Sequence, residues 1–292
     1  KHYFYPCNHS HMRKLLPYAI VGVVGLIITA SIITHQAKGT IGSFSGMELD
    51  MGDTDTPLLE LPFFTDPYAN WQRPAGPLRV GIQAGHWFAA DAPDEQEGLR
   101  DNTGAQAGGT TEWETNLRIA EETKKLLEAQ GIVVDLLPTT IPPDYLADAF
   151  ISVHADGNTD TRVSGYKVAA PRRDRTGTAA RLSSLIEARH GSSTNLLIDP
   201  NITNTMRGYY AFNWRRYDHS IHPMTPGAIV ETGFLTNAND RRIIVNNPKR
   251  SAQGIADGVI AFLQEMLPTE WEVLQASSTT NGTSPSSSTL LR

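Results

Sequence analysis

The chain has 292 residues, 40% of them hydrophobic, and a formal net charge of -6. That length holds one sizeable core with appendages, and no basic excess argues for a nucleic-acid partner, so none is expected. The single cysteine, Cys7, excludes a disulfide framework and a cysteine-based zinc site, which leaves histidine and carboxylate as the metal-binding chemistry.

Residues 1–14 read as a cytoplasmic N-terminal segment, with Met12 ahead of Arg13 and Lys14 as a natural start. Residues 15–34 read as a transmembrane signal-anchor helix, because the run LLPYAIVGVVGLIITASII carries no charge. Roughly 20 apolar residues at about 1.5 Å each match the hydrocarbon thickness of a bilayer. Arg13 and Lys14 precede the run, while Glu48, Asp50, Asp53, Asp55 and Glu60 follow it. The positive-inside rule then puts the N-terminus in the cytoplasm and the rest outside the cell membrane. A cleaved signal peptide and a secreted product is the competing reading. The apolar core is long for that, and His35 and Ala37 stand where small residues are wanted.

Residues 35–76 are rich in Gly, Pro, Thr and Asp without periodicity and read as a spacer. From 77 to 268 strand and helix patterns alternate. Strands are expected at 78–84, 132–137, 148–153, 165–170 and 227–232. Helices are expected at 112–130, 177–191, 239–245 and 251–267, the second of them ending at Gly191. The fold class is therefore α/β, a mostly parallel central sheet flanked by helices on both faces and preceded by the one transmembrane helix. Residues 269–292, ending SSTTNGTSPSSSTLLR, read as a disordered Ser/Thr-rich tail.

Three strands run into polar residues that an apolar strand does not need: His86 after the first, His154 in FISVHADG, and Glu231 straight after Ala228-Ile229-Val230. In a parallel sheet such strand ends share one edge, and a buried carboxylate is costly unless it is paired or bound to a metal. Two imidazoles and a carboxylate on one rim suit zinc. The helix start TTEWETNL adds a fourth group. Thr111 and Glu114 have capping-box spacing, which occupies Glu114 locally and leaves Glu112 free to face the rim.

The stretches VGIQAGHW, EWETNLRIA, AFISVHADG and AIVETGFLTNANDRR resemble, in order and approximate spacing, the motifs of zinc-dependent N-acetylmuramoyl-L-alanine amidases of the type-3 group. The resemblance spans 78–267. It implies that His86, Glu112 (four residues before Asn116) and His154 bind one Zn2+ and that Glu231 is the catalytic carboxylate. It further implies hydrolysis of the amide between N-acetylmuramic acid and L-alanine, with peptidoglycan as substrate and the membrane met through the N-terminal helix. The chain departs from the family at the first ligand, where Gln83-Ala84-Gly85-His86-Trp87-Phe88 replaces Asp-Pro-Gly-His-Gly-Gly. Another zinc peptidase acting on stem peptides, or a non-catalytic wall-binding module, are the alternatives. The first would need a cation to hold a terminal carboxylate, and the second should have lost a ligand or the base.

Two further features read as structural. His219 and His222 stand i,i+3 beside Pro223 in a loop-like stretch. Arg172, Arg173 and Arg175 enclose Asp174, so the run reads as a solvated mixed-charge loop.

Overall fold

Apolar runs set the main strands of a computed structural model that describes residues 66–281, β1 (Arg79–Ala84), β4 (Val133–Leu137), β5 (Ala149–Asp156), β6 (Lys167–Ala169) and β7 (Gly227–Phe234), and two dipeptides form the short β2 (Gln106–Ala107) and β3 (Thr110–Thr111). Five of them form one sheet in the order β4-β1-β5-β7-β6, and β2 and β3 pair separately. β4, β1, β5 and β7 are parallel, and β6 runs antiparallel to β7. From β1 the chain moves to one side, to β4, and then returns to the other side, to β5. The carboxyl ends of β1 and β5 therefore flank the point where strand order reverses, the crevice where open α/β sheets bind ligands.

Alternation along the strands gives the sheet two different coats. Val80, Ile82, Ala84, Ile151, Val153, Ala228 and Val230 share a core cluster with residues of α1 (Glu112–Glu128), α2 (Ala179–Thr194) and, further along the chain, a long helix over Pro248–Met266. Phe150, Ala169 and Ile229 cluster instead with Tyr145, Phe212 and Ile221 from loops and with Met206 of the one-turn α3 (Asn204–Arg207). Helices flank the sheet as expected, but one face takes the three long ones and the other is covered mainly by irregular chain. The short α4 (Ala238–Ile244) starts on Asn237. The last long helix is α5 (Pro248–Met266), with proline in its first turn where a missing N–H costs nothing.

The expected capping box is present. Thr111 Oγ1 accepts from the Glu114 N–H at 3.4 Å, and Glu114 Oε2 accepts from the Thr111 N–H at 3.1 Å. Other boundaries differ from expectation for identifiable reasons. α2 continues past Gly191 to Thr194, where Asn195 takes the left-handed conformation (φ 60°) that ends it. The expected tail begins as a helix, α6 (Pro268–Asn281), because Trp271 and Leu274 pack on the main cluster. The end of the expected spacer is also fastened: Arg73 Nε donates to Asp148 Oδ1 at 2.5 Å, and Tyr68 and Trp71 lie against the His222 ring. The segment 1–14, the anchor 15–34 and the spacer up to 65 lie outside the described residues, as does everything after 281. Among the described residues no helix is long and apolar enough to cross a membrane.

One buried group gives the fold a pH dependence. His190 of α2 is fully buried against Tyr166, ring centroids 4.8 Å apart, and neither ring nitrogen has a hydrogen-bond partner. Burial pushes its pKa down from 6.5 to about 3. The unfolded chain therefore binds a proton as pH falls below 6.5, while the folded chain holds out until about 3. Stability is fully present above the upper value and is lost across that window at up to about 1.4 kcal/mol per pH unit. Chemical denaturation of His190→Leu is expected to show a loss between pH 7 and pH 5 that is about 2 kcal/mol smaller than in the unsubstituted chain. An identical pH slope in the two proteins would exclude His190 as the source.

Candidate metal centre

His86 follows β1 through Gly85 in a turn at the sheet edge and has φ 64°, a left-handed conformation that is uncommon and strained for a residue with a side chain. His154 stands near the carboxyl end of β5. Glu112 comes from the first turn of α1 over the same edge. The structure brings the three together: His154 Nδ1 is 3.0 Å and His86 Nε2 is 3.3 Å from the same oxygen, Glu112 Oε1. Among the described residues these form the one group of three side chains whose ligand atoms all lie within 4.8 Å of one another.

The space for this cluster depends on two glycines. A Cβ on Gly85 would sit 2.3 Å from the His154 ring, and one on Gly104 (φ 75°) would sit 2.3 Å from Glu112 Oε2. The loop that Gly104 permits wraps the carboxylate. Ala105 N–H donates to Glu112 Oε2 at 2.7 Å, and Glu112 N–H donates back to Ala105 O at 2.8 Å. Asn116, one helical turn on, donates from Nδ2 to Gly85 O at 3.1 Å and to Glu112 Oε1 at 3.4 Å, tying helix to strand end.

The hydrogen bonds fix which nitrogen of each imidazole faces inward. His86 Nδ1 lies 2.9 Å from Asn102 O, a carbonyl that only accepts, so Nδ1 carries the proton and Nε2 presents a lone pair to the cluster. His154 Nε2 lies 3.0 Å from Tyr209 Oη. The single Tyr209 hydroxyl proton goes to Gln83 Oε1 at 3.0 Å or to Tyr210 Oη at 2.9 Å, and Tyr210 spends its own on Thr139 O at 2.7 Å. With its proton so placed, Tyr209 Oη can accept from His154 Nε2–H, the tautomer that leaves the inward-facing Nδ1 with a lone pair. Two imidazole lone pairs and a carboxylate oxygen then converge on one small volume. In neutral form they repel, and a divalent cation among them satisfies all three, so the donor set fits zinc.

The same contacts move the pKa values of the three groups when the histidines are protonated instead. Burial alone would raise the Glu112 carboxyl, but the His154 and His86 contacts outweigh it and hold the group well below the usual carboxylate range. Burial lowers the His154 pKa, with Glu112 opposing. His86 ends above its ordinary value: burial pulls it down, and the Glu112 contact overcomes that.

Glu231 of β7 is the direct register neighbour of His154 in β5 and of Lys167 in β6. Its Oε2 is buried without a hydrogen-bond partner. Burial, then the negative charges of Glu112 and Asp156, push its pKa well up, with Lys167 pulling the other way. Lys167 does not neutralise it outright, since its Nζ is held by Asp156 at 2.6 Å and Asp199 at 2.9 Å.

The remaining flagged residues lie outside the cluster. His219 Nδ1 faces Ile141 O at 2.9 Å, and His222 Nδ1 accepts the Met224 N–H at 3.0 Å. Trp87 packs on the core while its stacked partner Phe88 is exposed. Sequence reasoning misses Tyr209, whose place depends on an irregular crossing with no periodicity. Gln83 carries a signal, as an amide inside an otherwise apolar strand.

The chain matches the family model described as N-acetylmuramoyl-L-alanine amidase over residues 80–261. Similar solved structures include the CwlD amidase of Clostridioides difficile in complex with the GerS lipoprotein, at 18% identity and TM-score 0.47, covering 64% of this chain and 99% of that one. An N-acetylmuramoyl-L-alanine amidase of Nostoc punctiforme shows 22% identity and TM-score 0.46 over 65% of this chain and 99% of its own. The catalytic domain of the amidase CwlV of Bacillus (Paenibacillus) polymyxa shows 21% identity and TM-score 0.47 over 64% and 98%. No curated protein matches the chain.

Tyr209→Phe removes the acceptor of His154 Nε2–H and should weaken zinc binding by roughly 10- to 100-fold, the usual effect of losing a partner behind a ligand. Competition against a chromogenic chelator measures it, and unchanged affinity would show that the His154 tautomer is set by other means.

Proposed function

The chain belongs to the N-acetylmuramoyl-L-alanine amidases, and from that premise we propose that His86, Glu112 and His154 hold one zinc ion and that Glu231 moves the proton of the reaction. The enzyme hydrolyses the amide between N-acetylmuramic acid and L-alanine in peptidoglycan. The observation that carries the zinc reading is the convergence of two imidazole nitrogens and a carboxylate oxygen within 4.8 Å of one another, each side chain held from behind by the protein. Three protein ligands rather than four characterise catalytic sites that keep a position for water or substrate.

When bound, zinc supplies Lewis acidity, polarising a carbonyl and acidifying water. The chain supplies the rest. Glu231 is set beside His154 by sheet register and keeps one carboxyl oxygen free of protein partners. That oxygen accepts the proton of the attacking water and passes it to the departing amine of L-alanine. Burial first and the negative charge of Glu112 second raise the Glu231 pKa, and a dication held beside it would lower it again, leaving a carboxylate that can accept the proton.

We also propose that residues 15–34 anchor the protein in the cell membrane with the amidase domain, 77–268, outside. Support comes from the charge-free run and the basic pair Arg13-Lys14 on its N-terminal side. The spacer would give tethered reach to the wall.

Zinc analysis is expected to find about one ion per chain, the count for a single three-ligand site. His86→Ala and His154→Ala should lose most of it, and His219→Ala and His222→Ala should keep it. Full zinc in His154→Ala would remove that residue from the ligand set. Glu231→Gln should keep zinc and lose about 10²-fold or more in turnover on purified peptidoglycan. In the active enzyme the products should be stem peptides with a new L-alanine amine and glycan with free lactyl carboxylates. Near-normal turnover in the variant would make Glu231 structural, and release of free D-alanine alone would indicate a carboxypeptidase. Protease added to intact, wall-stripped cells should remove the domain, whereas protection would reverse the orientation.

A further inference from the structure

The turn Gly85-His86-Trp87-Phe88, where the chain departs from the amidase motif, ends on an aromatic residue that the metal centre does not use. Phe88 has φ 54°, a left-handed conformation that glycine takes freely and a phenylalanine does not. Its ring is also 58% exposed. Glycine would suit the backbone better, and a polar side chain would suit the exposure better, so neither accounts for phenylalanine. The ring is nevertheless held in place. It stacks on Trp87, with centroids 4.8 Å apart and 30° between the planes, and Trp87 packs on the main core cluster. The Trp87 backbone is fixed on both sides: its N–H donates to Ala84 O at 3.3 Å, and its O accepts from Thr139 N–H at 2.8 Å. A supported aromatic face, kept at a strained and exposed position, is what a ligand contact requires.

Two observations put that face beside the substrate. Of the three side chains in the metal centre His86 is the most open, 16% exposed against 7% for Glu112 and 8% for His154, so the centre meets solvent on the side of the turn after β1. Phe88 follows two residues on in that turn, its Cα at most about 7.6 Å from that of His86. Strand order supplies the second observation. In β4-β1-β5-β7-β6, His154 of β5 stands between Glu231 of β7 and the turn that leaves β1. Glu231 serves the attacking water and the departing amine, so the peptide lies toward β7. The acyl side of the bond, with the lactyl ether and its sugar, then points toward β1. The pyranose begins three bonds from the scissile carbonyl, roughly 4 Å at about 1.5 Å per bond. We propose that Phe88, backed by Trp87, is the platform on which the pyranose of muramic acid lies. The C–H face of the sugar covers the aromatic ring and leaves water, while the hydroxyls around its edge stay hydrated. This rests on the amidase reading for the direction of the scissile bond, and the strained, exposed aromatic stands without it.

The test compares an N-acetylmuramoyl peptide with the corresponding 2-methoxypropanoyl peptide, which keeps the lactyl amide and lacks the pyranose, using the full, zinc-loaded chain. The unsubstituted enzyme should favour the sugar-bearing substrate by about tenfold or more in kcat/KM, mostly through KM, the scale of one aromatic contact. Phe88→Gly, which suits the left-handed turn and so keeps the fold, should cut that preference about tenfold, and Phe88→Tyr should retain it. Leu197→Ala should leave it intact, because Leu197 is exposed on the far side of the sheet, where its O accepts from Tyr166 N–H beside β6. No preference in the unsubstituted enzyme, or one that survives in Phe88→Gly, overturns the proposal. Titration with the disaccharide of N-acetylglucosamine and N-acetylmuramic acid, followed by saturation-transfer NMR, reads the platform without turnover. Binding that Phe88→Gly loses supports it even if neither substrate is cleaved, in which case the amidase reading alone fails. No binding to the unsubstituted chain, or equal binding to the variant, overturns it. A Phe88→Gly chain that keeps the disaccharide and loses the free stem peptide would reassign the ring to the peptide side and also overturn it.

Discussion

One carboxylate oxygen, Glu112 Oε1, is shared by two imidazoles, and the surrounding structure is arranged around that meeting. Glu112 is almost fully buried, where an uncompensated charge is prohibitive. Asn116 and the backbone of the 102–105 loop donate to it, and a cation or proton between it and the two histidines would complete the compensation. The His154 ring and the Glu112 side chain lie where a Cβ on residue 85 or 104 would sit, which is why glycine stands at both positions. The strain at His86 has the same origin: its left-handed turn aims Nε2 at the carboxylate while Nδ1 reaches Asn102.

The sheet makes this possible by having unlike faces. The three long helices bury the face that carries Val80, Ile82, Val153 and Val230. The opposite face carries Gln83, Ser152, His154 and Glu231 by alternation, and a helix-covered face would offer them few partners. Irregular chain covers it instead, and such chain can bring Tyr209 and Tyr210 side by side beneath the rim. The polar groups there, Ser152, Gln83, Tyr209 and His154, form one connected hydrogen-bonded set. Such connection is what a buried polar group behind a proposed metal ligand requires.

The parts of this arrangement that are legible in the sequence are those with local causes. Alternating apolar runs locate the strands, and capping-box spacing alone separates Glu114 from Glu112. His86 and His154 stand out because polar residues end apolar strands. What is not legible depends on tertiary approach. The Tyr209 contact joins residues 55 positions apart, and nothing in the local pattern of YYAF marks it. The helix at 268–281 is hidden by its Ser/Thr content and exists because Trp271 and Leu274 find the core.

The central claim is that the protein holds two imidazole nitrogens and one carboxylate ready for zinc. X-ray absorption at the zinc edge, on the full chain loaded with one equivalent of metal, tests it most directly. The account predicts two imidazoles at about 2.0–2.1 Å, oxygen at about 2.0–2.2 Å and no sulfur. A spectrum with fewer than two imidazoles, or one unchanged in His154→Ala, would contradict it.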